Sequence, residues 1–308
     1  MPHTLKSARG SSPSMEWEKV RVLEREVHTS DGTVTLSLDR EDLSFLYPGM
    51  QRFTLQATAN GRVCALFRTS TYEYSPTVPY DAESVARQKV EEWGRLLQEK
   101  PRLFLDLHAR DGVRTTVPTL PADAVIIQGS PRPDGNCSIL AGWAEEAVRE
   151  AGAQPRVVFL DDLVIHSCIG CYRCYNSGEC TFDDDMGGVL VSLHGAALLV
   201  ICSPVYTNTV PGGLKIFLDR CQAYHARRRL FDPDRPKTGL LLAVAGRKGT
   251  ANFACVTHVV NAYFRNLGIV PAGEMLIDAL DETRDVRTLA GLEQRVKDTV
   301  RQSLRRGQ

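Results

Sequence analysis

Four cysteines lie close together in one short segment of the chain, residues 165–186. Cys168, Cys171, Cys174 and Cys180 have the spacing C-x2-C-x2-C-x5-C. Cysteine thiolates are ligands of structural zinc and of iron–sulfur clusters, and a [4Fe–4S] cluster needs four of them to converge on it. The spacing therefore predicts a metal centre in this loop, and a [4Fe–4S] cluster is the form that it favours.

Two other interpretations of these cysteines remain open. Structural zinc usually joins two separated pairs of ligands, so four ligands within one short loop fit zinc less well. The other alternative is a cysteine loop that carries no cluster. The run C-x2-C-x2-C continues with x5-C-T, where ferredoxins have x3-C-P, so the loop is not a copied ferredoxin module.

We expect the next residues, Asp183, Asp184 and Asp185, to cap the helix that starts at Met186.

A second candidate site is the segment "GSPRPDGNCS", residues 129–138. It follows a short apolar run and opens a helical pattern, and the free N–H groups at a helix start suit a phosphate. Ser130, Asn136 and Ser138 can donate hydrogen bonds, and Arg132 can form a charge-assisted pair with a phosphate. The segment has neither the Gly-Lys-Ser/Thr ending of a Walker A loop nor the spacing G-x-G-x-x-G. We therefore predict a phosphate site of another kind.

Two further loops carry groups that suit a flat heterocycle. The segment "SPVYTNTVPGGLKIFLDR", residues 203–220, is stiffened by Pro204 and Pro211 and carries Tyr206 among small polar residues. The segment "AGRKGTAN", residues 245–252, is rich in glycine. We expect the two loops to approach the same ring from opposite sides.

The elements that must position these loops are short apolar strands that alternate with helices. Near-continuous apolar strands of this kind form parallel sheets covered on both faces, and such folds bind ligands at the carboxyl ends of the strands. The sequence therefore predicts a doubly wound α/β fold with five parallel strands. The strands are predicted at residues 124–128, 156–160, 197–203, 239–246 and 274–277, and the helices at 138–151, 186–194, 213–226, 252–267 and 286–304.

The first third of the chain has a different pattern. Alternating apolar and polar residues predict strands, Asn60-Gly61 predicts a tight hairpin turn, and an amphipathic helix follows with Asp81 as its cap. We predict a disordered tail at 1–14, a small α+β accessory domain at 15–118, and an α/β domain at 119–308 that contains the cysteine loop. The segment "DGVRTTVPTLPAD" is the predicted linker.

Composition excludes several classes of function. Lys plus Arg and Asp plus Glu both number 37, so the net charge of zero gives no sign of a nucleic-acid or membrane-surface partner. No apolar run approaches the roughly 20 residues of a membrane-spanning helix. The first residues lack the apolar core of a secretory signal, so we expect a cytoplasmic protein. In that setting a tight cysteine cluster indicates a metal or redox site rather than disulfides.

The first two loops, taken together, resemble those of the NADPH-dependent FMN reductases in the flavodoxin-like superfamily. The cysteine loop between them resembles the compact cysteine motif of the iron–sulfur flavoproteins in that group. The resemblance covers residues 121–280 and implies that the first loop holds the FMN phosphate while the later loops flank the isoalloxazine ring. The residues to which these roles transfer are Ser130, Arg132, Asn136, Cys137 and Ser138 for the phosphate, and Pro204, Val205, Tyr206, Thr207, Asn208 and Gly246 for the ring.

The resemblance also bears on the cysteines and on the activity. Cys137 stands where the family usually has threonine or serine, so we expect it to offer its backbone N–H. The family's cysteine motif implies a single [4Fe–4S] cluster on the four loop cysteines. The expected function is an FMN oxidoreductase that moves electrons between a two-electron donor such as NAD(P)H and one-electron carriers.

Several alternatives remain open for the function. One is an NAD(P)H-dependent FMN or quinone reductase without a cluster, since many similar reductases have such cysteine loops. Another is an electron carrier that accepts electrons from ferredoxin, and a third is a redox-sensing interaction protein. We expect small-molecule electron donors or acceptors as partners, with ferredoxin as a candidate, no nucleic acid and no membrane. The expected assembly is a homodimer or homotetramer.

Overall fold

The structure is a computed structural model that describes residues 17–30, 32–108 and 122–307. The chain divides into two compact units, Met1–Arg114 and Thr115–Gln308. The predicted tail at 1–14 and most of the predicted linker lie outside the described residues, so the predicted domain limits stay predictions. Within the described part of the chain, none of the helices is long and apolar enough to cross a membrane.

The first unit is an antiparallel sheet with two helices. Its strands lie side by side in chain order, and the turn between the third and fourth has positive φ at both Asn60 (51°) and Gly61 (74°), as the Asn-Gly pair predicts. Asp81 caps the first helix by accepting a hydrogen bond from the N–H of Ser84 (2.8 Å). The elements are β1 (Lys19–Thr29), β2 (Gly32–Asp42), β3 (Gln51–Ala59), β4 (Arg62–Ser70), α1 (Ala82–Glu99) and α2 (Pro101–His108).

The second unit contains the predicted parallel sheet. Its five strands are β5 (Ala124–Gln128), β6 (Pro155–Phe159), β7 (Leu198–Pro204), β8 (Thr238–Val244) and β9 (Val270–Ile277). All neighbours are parallel, and the order across the sheet is β6-β5-β7-β8-β9. This is the flavodoxin-like order. The second strand of the unit lies on one side of the first strand, and the third and later strands lie on its other side.

Helices cover both faces of this sheet. They are α3 (Asn136–Glu150), α4 (Cys174–Ser177), α5 (Met186–Leu193), α6 (Gly212–Arg220), α7 (Gln222–Leu230), α8 (Ala254–Asn266), α9 (Leu280–Thr283) and α10 (Leu292–Gly307). Helices α3 and α10 pack on one face, while α5, α6, α7 and α8 pack on the other. The central strands β5, β7 and β8 are buried along their whole length apart from Pro204, which explains why their sequences are near-continuous apolar runs.

Two predicted helices differ from the observed ones. The helix predicted at 213–226 is divided into α6 and α7, because Cys221 has a helical φ of −66° but a ψ of −2°, which ends one helix and redirects the next. The helix predicted at 286–304 starts at Leu292, because Gly291 has a left-handed φ of 69° that an α-helix cannot include. The strand predicted at 274–277 starts earlier, at Val270.

Candidate functional site

A cavity of about 790 Å³ opens at the carboxyl ends of β5, β7 and β8. Most of the residues predicted to hold a flavin line it, namely Ser130, Arg132, Asn136, Cys137, Pro204, Val205, Tyr206 and Gly246. Ser138, Thr207 and Asn208 do not line it. A cavity of this size falls in the range of small-molecule and cofactor sites.

The first loop is shaped by a buried side chain that the sequence analysis did not single out. The amide nitrogen of Gln128 donates to the hydroxyl of Ser138 (2.9 Å) and to the carbonyl of Arg132 (3.2 Å). Its amide oxygen accepts from the N–H of Ser130 (3.0 Å). Ser138 therefore faces the interior of the loop and shapes it. The Ser130 hydroxyl accepts from the N–H of Arg132 (3.2 Å), which leaves its own proton free to donate to a ligand.

Asn136 uses its side chain differently from the prediction. Its amide nitrogen donates to the carbonyl of Arg284 (3.0 Å), and its amide oxygen accepts from the N–H of Val286 (3.0 Å). The side chain is therefore committed to the segment that follows β9. Its role is to fix Arg284 and Arg287, which also line the cavity, opposite the first loop.

We expect Asn136→Ala to loosen the segment that follows β9. Each lost hydrogen bond is worth about 1 kcal/mol, so the free energy of unfolding should fall by about 2 kcal/mol and flavin affinity should fall with it. Urea unfolding and fluorescence titration with FMN measure the two effects. Asn136→Asp keeps the acceptor for Val286 and should show the smaller loss. Equal losses in both variants would contradict the assigned contacts.

The second loop presents Tyr206 through a tight turn. The backbone of Tyr206 exchanges two hydrogen bonds with that of Thr209, each 2.9 Å long. Thr207 and Asn208 form the tip of the turn with left-handed φ values of 45° and 65°, and both are exposed. They thus shape the loop, while Tyr206 itself lines the cavity.

The third loop needs glycine where it meets the cavity. A Cβ on Gly246 would collide with the carboxylate of Asp281, whose N–H donates to the Gly246 carbonyl (2.9 Å). Asp281 and the arginines after it belong to the cavity, but the sequence analysis missed them. Their sequence signal was weak, because they lie in a short polar stretch after the last strand with no motif spacing.

Cys137 lines the cavity as a neutral thiol. Burial raises its pKa to about 12, and burial likewise raises the pKa of the adjacent Cys202, with a smaller contribution from Cys137. A thiol with so high a pKa is not a nucleophile at neutral pH. Its position near the start of α3 is consistent with a backbone contribution.

The cysteine loop follows β6, the neighbour of β5, so it leaves the same edge of the sheet as the first loop. Cys174 is buried, Cys171 and Cys180 are partly buried, and Cys168 is exposed. Burial, together with smaller contributions from the charges of the three other loop cysteines, raises the pKa of Cys174 to about 12. The three other thiols therefore lie close enough to Cys174 to influence its charge.

The turns of the loop depend on left-handed backbone at Gly170 (65°) and Tyr172 (55°), one on each side of Cys171. Within the described ranges, no three or more His, Cys, Asp or Glu side chains are gathered as they would be around a single metal ion. A cubane cluster differs from a single ion, because each iron takes one thiolate at a separate corner. A set of four thiols from one compact loop fits the cluster, while two separated pairs would be expected for zinc.

Asp184 and Asp185 join the end of the cysteine loop to its beginning. Asp185 accepts from the N–H of Val164 (2.8 Å), and Asp184 accepts from the N–H of His166 (2.9 Å). The ring of His166 stacks on Phe182, with centroids 4.9 Å apart. Asp184 also accepts from the N–H of Met186 (3.3 Å), which confirms the capping prediction for this residue, while Asp185 at the N-cap of α5 makes no side-chain capping bond, so the prediction is wrong there. The carboxylates thus fasten the two ends of the loop as well as the start of α5.

The fold and the cavity at its strand ends define a flavodoxin-like protein. A family model of NADPH-dependent FMN reductases matches residues 123–280. An iron–sulfur flavoprotein of Methanocaldococcus jannaschii is 31% identical over 144 residues, which are 47% of this chain and 72% of that protein. One of Methanosarcina thermophila is 32% identical over 122 residues, 40% of this chain and 62% of that protein.

The chain is also similar to solved structures. The structure of RosB with a bound formylated riboflavin phosphate intermediate covers 59% of this chain and 78% of its own, with 19% identity and a TM-score of 0.46. The chain belongs to the NADPH-dependent FMN reductase family. This confirms the resemblance and places the chain among the FMN-dependent oxidoreductases. The roles of the individual site residues stay predictions.

Proposed function

We propose that the protein is an NAD(P)H-dependent FMN oxidoreductase that passes electrons to one-electron carriers through a [4Fe–4S] cluster. The observation that carries the proposal is a single short loop with four cysteines, which leaves the sheet edge that also bears the cavity. The names of the curated relatives, iron–sulfur flavoproteins, support the cluster. Cys168, Cys171, Cys174 and Cys180 would hold it.

The residues of the cavity divide the work of binding FMN. Ser130 and the backbone N–H groups at the start of α3 would receive the phosphate, with Arg132 as its charged partner. Tyr206 and the backbone at Gly246 would border the isoalloxazine. Bound FMN supplies the chemistry, since a flavin accepts a hydride as an electron pair and releases electrons singly. The chain's own part is to orient the ring and keep the phosphate in place.

Arg132→Ala should weaken FMN binding far more than riboflavin binding, because only FMN has the phosphate. The guanidinium of Arg132 makes no hydrogen bond or ion pair with other described residues, so it is free for a ligand. Losing a charge-assisted hydrogen bond costs about 1.5–3 kcal/mol, or roughly tenfold or more in affinity. Titration of the apoprotein with both ligands measures this.

The matched control for Arg132 is Arg149→Ala, at the far end of α3. Arg149 is exposed and pairs with Glu145, so its loss should change neither affinity. Equal weakening of FMN and riboflavin in Arg132→Ala would show that the first loop is not a phosphate site.

Anaerobic purification followed by analysis for FMN, iron and acid-labile sulfide tests the proposed function. We expect FMN together with about four iron and four sulfide ions per chain, and oxidation of NADPH or NADH coupled to reduction of a one-electron acceptor. If the protein holds FMN and turns over but binds no iron, even after reconstitution, the result would exclude the cluster and support the clusterless reductase. FMN and iron without NAD(P)H oxidation would leave the electron carrier.

Ferredoxin as partner and a homodimer or homotetramer stay predictions, as does a cytoplasmic location.

A further inference from the structure

A buried arginine lies directly behind the cysteine loop. Arg220, the last residue of α6, has a side chain that is 1% exposed, and its partner Asp184 is 2% exposed. Two guanidinium nitrogens donate to the two carboxylate oxygens, at 2.6 and 2.9 Å. This forked geometry fixes the guanidinium in one orientation.

The same arginine holds both ends of the loop. It donates to the carbonyl of His166 (2.7 Å), two residues before Cys168. It also lies over the ring of Phe182, 5.2 Å from the centroid and two residues after Cys180. One side chain therefore contacts the segments that enter and leave the four-cysteine run.

One nitrogen of the guanidinium is left without a hydrogen bond to the described part of the chain. Its Nε is buried and has no hydrogen-bond partner among the described residues. An arginine stays protonated in proteins, and the contact with Phe182 places this one two residues from Cys180. The arginine is therefore a permanent cation close to one of the proposed cluster ligands.

Packing alone does not account for an ion pair at this place. Burying two charges carries a desolvation penalty that can exceed their attraction, and apolar residues of similar volume often serve stability as well. A fixed cation beside a thiolate ligand has an additional effect, because cluster potentials depend on nearby charge and on hydrogen bonds to the sulfurs. Reduction adds one electron to the cluster, and a neighbouring positive charge stabilises the more negative state.

We propose, resting on the cluster in the proposed function, that Arg220 is a positioning residue for that cluster. It joins the two ends of the cysteine loop and holds a positive charge beside Cys180, which raises the reduction potential of the bound cluster. Asp184 orients the guanidinium so that this charge faces the loop.

The test compares three variants with wild-type protein. Arg220→Gln removes the charge but leaves Asp184 buried without its partner, which endangers folding. Arg220→Gln combined with Asp184→Asn removes both charges, so it keeps the test available if the single variant fails to fold. Arg220→Lys keeps the charge and loses the fork. The control is Lys215→Gln, an exposed cation on the same helix.

Each anaerobically purified protein is assayed for iron, for the rate of iron loss to a chelator, and for the cluster midpoint potential by redox titration with electron paramagnetic resonance. In both variants that carry Arg220→Gln, iron loss should be roughly tenfold faster. If the cation favours the reduced cluster by about tenfold, its loss should lower the potential by about 59 mV. The single variant, with an unpaired carboxylate, should lie lowest.

Arg220→Lys should lose iron faster than wild type yet keep a potential near that of wild type. The potential separates an electrostatic role from a merely structural one, which would change iron retention alone. A cluster-loaded double variant whose potential equals that of Lys215→Gln overturns the inference while the proposed function stands. Wild-type protein that binds FMN but no iron overturns the cluster proposal and this inference with it.

Discussion

Changing any one of Cys168, Cys171, Cys174 and Cys180 to serine should remove most of the iron and acid-labile sulfide while FMN stays bound. A serine oxygen is a poor substitute for a thiolate in iron–sulfur chemistry, and a cubane that lacks one of its four protein ligands is not retained. The flavin is held by different loops, so its stoichiometry should be unchanged. Anaerobic purification with iron, sulfide and flavin analysis gives the result.

Cys255→Ser is the matched control for these four variants. Cys255 is exposed like Cys168 but lies on α8, so its change should leave iron, sulfide and flavin at wild-type levels. Cys64 provides a second control in the first unit. If a loop variant retains full iron, the corresponding cysteine is not a ligand. If all four variants retain it, the metal lies elsewhere.

The sheet was predictable from sequence because each strand is identified by its own residues. The segment 124–128 begins with four apolar residues and forms β5 with those limits, and the runs that became β7 and β8 are displaced by two residues or fewer. Burial on both faces favours apolar side chains at most positions of a central strand. The exposed edge strand β9 has no such demand, so only its last four residues were predicted.

Residues of the candidate site could be predicted from the sequence where a single loop contained the pattern that identified them. The first and second loops bring their residues to the cavity through local turns, so their composition was sufficient. The segment after β9 reaches the cavity through long-range contacts, such as the bonds from Asn136 to Arg284 and Val286. Contacts between residues about 150 positions apart leave no periodicity or spacing to find. The same limit hid the role of Gln128, whose partners are set by the loop it shapes.

The aspartates that fasten the two ends of the cysteine loop were also only partly predictable from the sequence. The aspartates before Met186 were predicted as helix caps, which is a local property of the sequence. The contact of Asp184 with Arg220 depends on how α6 packs against the loop, and no local pattern encodes it. The largest loss of stability that we expect from a single change in the cysteine-loop region arises at this pair.

Asp184→Ala should lower the free energy of unfolding by about 3–5 kcal/mol, because it leaves the Arg220 guanidinium buried without its counter-ion. It also removes the acceptor for the N–H of His166, so the loop end should loosen. Urea unfolding of protein freed of flavin and iron measures this without a contribution from ligand binding. Asp219→Ala is the control, since Asp219 pairs with Lys215 on the surface of the same helix and its loss should hardly move the midpoint.

The dependence on pH distinguishes a lost ion pair from a lost contact. Burial raises the pKa of Asp184, but the hydrogen bonds from Arg220 and His166 outweigh it and hold the pKa well below its ordinary value. Since folding lowers this pKa, the pair contributes its full stability above the unfolded-state pKa of about 3.9 and loses it as the pH falls further. The difference between wild type and Asp184→Asn should therefore be complete at pH 7 and shrink below about pH 4. A difference that stays constant down to pH 3 would show that the carboxylate charge does not stabilise the loop.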